Sequence, residues 1–116
     1  MQPSEDDLES LWDMRQAIYH IQNFTTGISE IEYCENLLVQ SAVERQLEIL
    51  GEAARRVSRE FQIAHPEVDW RNTIGLRNII SHRYDRVEQD KLWEIVQTVL
   101  PDFLTLLAAL LPSVEQ

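Results

Sequence analysis

The sequence predicts an all-α protein, an up-and-down bundle of four to five helices. Apolar residues recur at three- and four-residue spacing along most of the chain, while the alternating apolar and polar pattern of strands is nearly absent. Only three Gly and four Pro interrupt 116 residues, so the connections are short and neighbouring helices pack side by side. The chain is 44% apolar, with aromatics from Trp12 to Phe103, which supplies a core and argues against disorder. No internal repeat or low-complexity linker divides it, and residues 1–116 read as a single helical domain.

The first helix starts after Ser4, whose hydroxyl can cap it while Asp7 sits in the first turn. It runs to about Phe24 with Leu11, Met14, Ile18 and Ile21 on one face, and Gly27 ends it. Ser29 opens the next segment with Glu32 three residues on. Cys34, Leu38, Ala42, Leu47, Leu50, Ala54, Val57 and Phe61 continue its apolar face, with a break near Asn36, until His65-Pro66 stops the run. A shorter helix begins near Trp70 behind Asp69, carries Ile74, Arg77, Ile80 and Ser81, and ends close to Arg83. The last helix spans about Glu88 to Leu110, with Trp93, Val96, Leu100, Phe103, Leu107 and Leu110 inward and Pro101 removing one backbone donor and bending it. Its run LPDFLTLLAALL is Leu-rich enough to bury more than one side, as a subunit interface or as ordinary core.

Charge is unevenly divided. The net charge is −10, yet residues 1–54 carry −9 of it and residues 55–91 carry +2. Such a chain repels nucleic acid as a whole, so an anionic ligand must meet a local basic site. Nine of the ten bases are Arg, the residue suited to bidentate phosphate contacts. Cys34 is alone, which excludes an internal disulfide and a Cys-rich zinc site and fits a reducing compartment. No uninterrupted apolar run approaches the roughly 20 residues of a membrane span, and the acidic start MQPSEDD is unlike a signal peptide. The expectation is a cytoplasmic protein with no membrane partner.

Most chemical motifs are missing: there is no phosphate-binding glycine loop, no GxSxG, no HExxH, and His20, His65 and His82 lack metal-ligand spacing. No metal and no cofactor are expected. The acidic pairs Glu44/Glu48 and Glu48/Glu52 lie one helical turn apart and read as a salt-bridged face. One stretch differs, Arg77-Asn78-Ile79-Ile80-Ser81-His82-Arg83-Tyr84. It gathers a permanent cation, a group that titrates near neutrality and a phenol at the expected end of a helix. With nine Arg, three His and three Tyr in the chain, this R-x4-H-x-Y spacing arises by chance in only about 0.6% of such sequences.

That motif resembles the R-x4-H-x-Y signature of the HEPN-domain ribonucleases, specifically the HepT-like toxins. Its neighbours match as well: EILGEAARRVSREF (48–61), HPEVDWRNTIGLRNIISHRYDRV (65–87) and KLWEIVQTVLPDFLTLL (91–107) are similar to the HepT pattern of a Glu-Ile-x-Gly-Glu-Ala helix, a Pro and Trp ahead of the Arg helix, and a Trp-containing last helix with Leu-Pro. The resemblance covers most of residues 8 to 110. It departs at Arg83, where the family often has a small residue, and at the Glu-Gln-Asp after Val87.

The resemblance implies a HEPN-type bundle that dimerises with two motifs lining one cleft, and a metal-independent endoribonuclease toxin. In that reading His82 moves protons at the 2′-OH or the leaving 5′ oxygen, and Arg77 stabilises charge on the phosphorane. Asn78, Ser81 and Arg83 support them. It further implies an MntA-like nucleotidyltransferase antitoxin that transfers AMP to Tyr84. The residues alone leave alternatives open. Arg77 and His82, five apart, stand about 140° apart on an unbroken helix, so they converge only if the helix loosens near Ser81 or a second subunit supplies its copy. Arg77 could instead pair with Glu48 or Glu52, His82 cap a helix end, and Tyr84 pack. The whole chain could be a non-catalytic module that binds nucleotide or docks a nucleotidyltransferase.

Overall fold

The computed structural model describes residues 3–81 and 88–112, all helix and connection with no strand among them. Its helices are α1 (Glu5–Thr25), α2 (Glu30–Cys34), α3 (Leu37–Arg56), α4 (Arg59–Ala64), α5 (Trp70–Ser81), α6 (Gln89–Glu94) and α7 (Leu100–Leu110), the last two joined by a π-helical turn, Ile95–Val99. This is an all-α bundle, two helix layers thick at 43 × 31 × 19 Å.

Local chemistry starts and stops these helices as the sequence implies. The Ser4 hydroxyl accepts from the Asp7 amide at 3.1 Å. Ser29 and Glu32 form a reciprocal capping box on α2, and the Asn36 side chain accepts from Val39 N at 3.1 Å to begin α3. Gly27 lies at φ +82, a left-handed conformation that suits the turn after α1. One boundary escapes the periodicity. The apolar face, expected to break near Asn36 and then to continue through Phe61, is interrupted again at Val57, and Ser58 caps a separate α4 by accepting from Phe61 N at 3.2 Å. Asp7 holds that break in place: its two carboxylate oxygens accept from Ser58 N at 2.7 Å and Ser58 Oγ at 2.6 Å.

That bond, the Arg56–Asp13 pair at 3.2 Å and the His20–Gln46 contact at 3.3 Å join residues descending along α1 to residues ascending back along α3, so the two helices run antiparallel. Leu11, Met14, Ile18 and Ile21 from α1 meet Val43, Leu47, Leu50 and Ala54 from α3, all essentially without solvent exposure. Tyr33 ties α2 to the last helix, donating to Gln89 Oε1 at 2.8 Å, while Gln89 donates on to Glu44 Oε2 at 2.6 Å. Burial, with the Glu44 charge beside it, pushes the Tyr33 phenol above its ordinary range, so it stays protonated and keeps the proton it donates to Gln89.

Three expectations need correction. Cys34 and Leu38 do not face inward: Cys34 is exposed and Leu38 is 79% exposed. The Asn36 cap resets the helical phase, giving the inward places to Tyr33 and Val43. Leu110 sits at the core margin and Leu111 takes the buried place. The last helix is as expected in extent: α6, the π turn and α7 form one helix, Gln89–Leu110, 22 residues long, and a stretch within it of mean hydropathy 1.3 meets the length and composition of a membrane span, although no uninterrupted apolar run does. Leu92, Val96, Leu100, Phe103 and Leu107 from this helix are nevertheless part of the bundle core. Pro101 is accommodated by the preceding π turn, where Leu100 N–H reaches back five residues to the Ile95 carbonyl.

Candidate active site

The site begins with a glycine. A Cβ on Gly51 would lie 3.0 Å from the Thr73 carbonyl oxygen and 3.4 Å from Arg77 N, so only glycine lets α3 and α5 approach this closely. The next residue, Glu52, thereby faces α5 and forms an ion pair with Arg77 at 3.4 Å. Trp70 anchors the other end of α5, donating from its indole N–H to the His65 carbonyl at 2.9 Å, and Asp69 Oδ1 accepts from Asn72 N at 3.2 Å to start the helix. Leu76 and Thr73 are buried. Register on α5 is therefore fixed at both ends, and with it the direction of Arg77.

Arg77 opens into a groove lined also by Arg45, Glu48, Ile49, Glu52 and Arg56. Its charges are interleaved: Arg45 pairs with Glu48 at 3.5 Å, and Arg55, just outside, pairs with Glu52 at 2.6 Å. The bond from Arg55 holds the Glu52 carboxyl below its usual range, with Arg55, Arg77 and Arg56 charges adding to the effect. Glu52 thus belongs first to Arg55 and only second to Arg77, whose side chain remains 55% exposed. This answers the acidic pairs read from the sequence: Glu48 and Glu52 are salt-bridged, and Glu52 is the partner Arg77 finds. Among the described residues no group of three His, Cys, Asp or Glu side chains gathers to hold a metal ion.

Of the expected site residues, Arg77 and Asn78 are exposed on α5, and Ser81 is its last residue. His82, Arg83 and Tyr84 lie outside the described residues, as does the question of how the chain leaves α5 to bring His82 towards Arg77. The sequence reading offered Glu52 as a partner for Arg77, and the structure forms that pair; it treated Gly51 as pattern only, and the part of Gly51 in aiming Arg77 was missed. The available signal was a glycine inside a strongly helical segment, which costs helix stability unless another backbone needs the space.

A helical bundle that uses a tight glycine contact to set an arginine at a charged groove, one turn ahead of His and Tyr in sequence, is of the HEPN ribonuclease class. The chain belongs to the ribonuclease HepT-like family, whose model matches residues 14–110. It is 36% identical over 91 residues to "Putative RNase MJ1380" of Methanocaldococcus jannaschii, covering 78% of this chain and 84% of that one. It is 35% identical over 91 residues to "Probable ribonuclease HepT" of Thermococcus cleftensis, covering 78% and 83%. A further Methanocaldococcus jannaschii relative, "Putative RNase MJ0127", is 26% identical over 113 residues, 97% of this chain and 93% of its own length. No solved structure matches the chain.

Proposed function

We propose that this HepT-like ribonuclease is the endoribonuclease toxin of a toxin–antitoxin pair, a single-domain cytoplasmic protein that cuts RNA as a homodimer with the two R-x4-H-x-Y motifs facing one cleft. His82 takes the proton from a ribose 2′-OH as that oxygen attacks the adjacent phosphorus, and a proton is returned to the departing 5′ oxygen, leaving a 2′,3′-cyclic phosphate and a 5′-hydroxyl. Arg77 donates to the non-bridging oxygens as negative charge grows on them, with Asn78, Ser81 and Arg83 in support. None of these steps needs a metal ion. The partner is an MntA-like nucleotidyltransferase antitoxin that silences the site by placing AMP on Tyr84.

The observation that supports this reading most is the exposure of Arg77 beside a carboxylate already committed to Arg55. An exposed ion pair contributes at most about 1 kcal/mol, so an RNA phosphate displaces Glu52 from Arg77 at small cost. The same pair gives weight to a second reading, in which Arg77 is structural and the chain is a non-catalytic module that binds nucleotide or docks a nucleotidyltransferase. Cleavage of a labelled RNA in EDTA separates the two. Arg77→Ala and His82→Ala each reduce the rate about 10²-fold or more while helical circular dichroism is retained. Equal cleavage by wild type and both variants, or no cleavage by any, rejects the catalytic reading. Light scattering showing only monomer at micromolar concentration rejects the dimer cleft.

A further inference from the structure

Every base in the described residues is engaged with a carboxylate or an aromatic ring except two. Arg45, Arg55, Arg56, Arg77 and Lys91 pair with Glu48, Glu52, Asp13, Glu52 and Glu88, and Arg15 lies over the Tyr19 ring at 5.8 Å. Arg59 and Arg71 form no ion pair among the described residues, and both line the same open pocket of about 480 Å³. Its floor is apolar, made by Ile63, Pro66, Val68 and Trp70, and Ile63 is 67% exposed. Two carboxylates also lie at this pocket, but each is occupied. Glu67 faces His65 Nδ1 at 3.1 Å, and Asp69 accepts from Asn72 through both oxygens, at 3.2 and 2.8 Å.

We propose that this pocket, between α4 and the start of α5, is a second contact for the RNA substrate, with Arg59 and Arg71 holding a phosphodiester and the Ile63–Pro66–Trp70 wall receiving a base or ribose face. In a chain of net charge −10, two guanidinium groups that form no ion pair line one apolar hollow, while its two carboxylates are turned to His65 and Asn72, and an anion with an attached apolar face is expected there. The pocket is carried by the helix that carries Arg77. Trp70 and Ser81 stand eleven residues apart on α5, about 16 Å of helical rise, a span that a few nucleotides of single strand bridge. The contact rests on the ribonuclease reading above and extends it: it favours single-stranded RNA long enough to reach from the cut to this pocket.

The test measures binding rather than cleavage. In a His82→Ala background, a fluorescent single-stranded RNA of about 20 nucleotides is titrated at several salt concentrations, with Arg59→Ala/Arg71→Ala and Ile63→Glu added in turn. A lost phosphate contact lowers the slope of log affinity against log salt by about 0.7, so the double variant, which releases the one phosphodiester held here, loses about 0.7 and binds at least tenfold more weakly. Ile63→Glu weakens binding without removing a base from the protein. Lys91→Ala, which removes a charge elsewhere, changes the affinity less than twofold. Equal salt slopes and affinities with and without Arg59 and Arg71, at retained helical circular dichroism, overturn the pocket while leaving RNA binding by the protein intact. Failure of every variant and of the His82→Ala parent to bind RNA overturns the pocket together with the RNA reading, as does binding of an acidic peptide but not RNA at Arg59 and Arg71.

Discussion

Glu52 is shared between two arginines, bonded to Arg55 at 2.6 Å and facing Arg77 across α3 and α5 at 3.4 Å. The shorter bond is within one helix, so it persists when Arg77 turns to another anion. Glu52→Gln therefore removes a negative charge from beside the expected phosphate without removing the side chain, and the variant binds RNA severalfold more tightly than wild type at low salt, in filter binding or anisotropy. Weaker binding would make Glu52 a positioning partner of Arg77 rather than a competitor for it.

The same carboxylate gives a pH dependence with a definite sign. Its folded pKa is depressed below the usual 4.5, so the stability it contributes is fully present above that value and is lost as pH falls through the lower folded value. Glu52 and Arg55 are exposed, so the effect is small. Urea midpoints of wild type and Glu52→Gln differ most near neutral pH and converge on acidification. A difference that grows as pH falls would contradict the assignment.

Gly51 tests the geometry that aims Arg77. Alanine at this position brings Cβ to 3.0 Å from a backbone oxygen of α5, and a backbone atom yields only if the helix moves. Overpacking of this kind costs about 1–3 kcal/mol. Gly51→Ala therefore lowers the melting temperature and reduces RNA cleavage by more than the lost stability explains, because α5 carries Arg77 away with it. Gly75→Ala, where a Cβ meets nothing within 4 Å, is the matched control and retains the fold.

A third joint lies just past the end of α3. Asp7 is buried and accepts both the amide and the hydroxyl of Ser58, joining the first turn of α1 to the break between α3 and α4. Hydrogen bonds to a charged group contribute about 1.5–3 kcal/mol each, and removing the acceptor leaves a partly buried N–H without a partner. Asp7→Ala lowers stability by about 2–3 kcal/mol in urea unfolding. An unchanged midpoint would mean that water replaces the carboxylate.

These joints mark the limit of what periodicity conveys. The long helices, the caps at Ser4 and Ser29, the break near Asn36 and the start of α5 were legible because local spacing and capping chemistry decide them. The break at Ser58 was not, since Val57 and Phe61 keep apolar spacing across it and the residue that stabilises it, Asp7, is 51 positions away. Leu38 misled for the related reason that a cap shifts the phase of everything after it. At the site, the motif was legible as a spacing, and the resemblance named the family that residues 14–110 confirm. That Arg77 would choose Glu52 over Glu48 depends on how closely α3 and α5 approach, which Gly51 decides through a tertiary contact.

Tyr84 is the last point at which sequence and chemistry meet, outside the described residues. It stands two residues past His82 and three past the end of α5, within a short stretch that also carries Arg83 and Arg86. Transfer of AMP to its phenol oxygen, with pyrophosphate leaving from ATP, converts a neutral hydroxyl into an anionic phosphodiester bearing a bulky base. In the proposed mechanism such a group would compete with an RNA phosphate for the cations of the motif, Arg77 and Arg83. Co-expression with an MntA-like nucleotidyltransferase is therefore expected to add mass to the intact protein in AMP units and to abolish RNA cleavage. Tyr84→Phe takes up no AMP and escapes that inhibition while keeping its own cleavage activity measurable. Full neutralisation with unchanged mass would instead mean that the partner inhibits by binding alone.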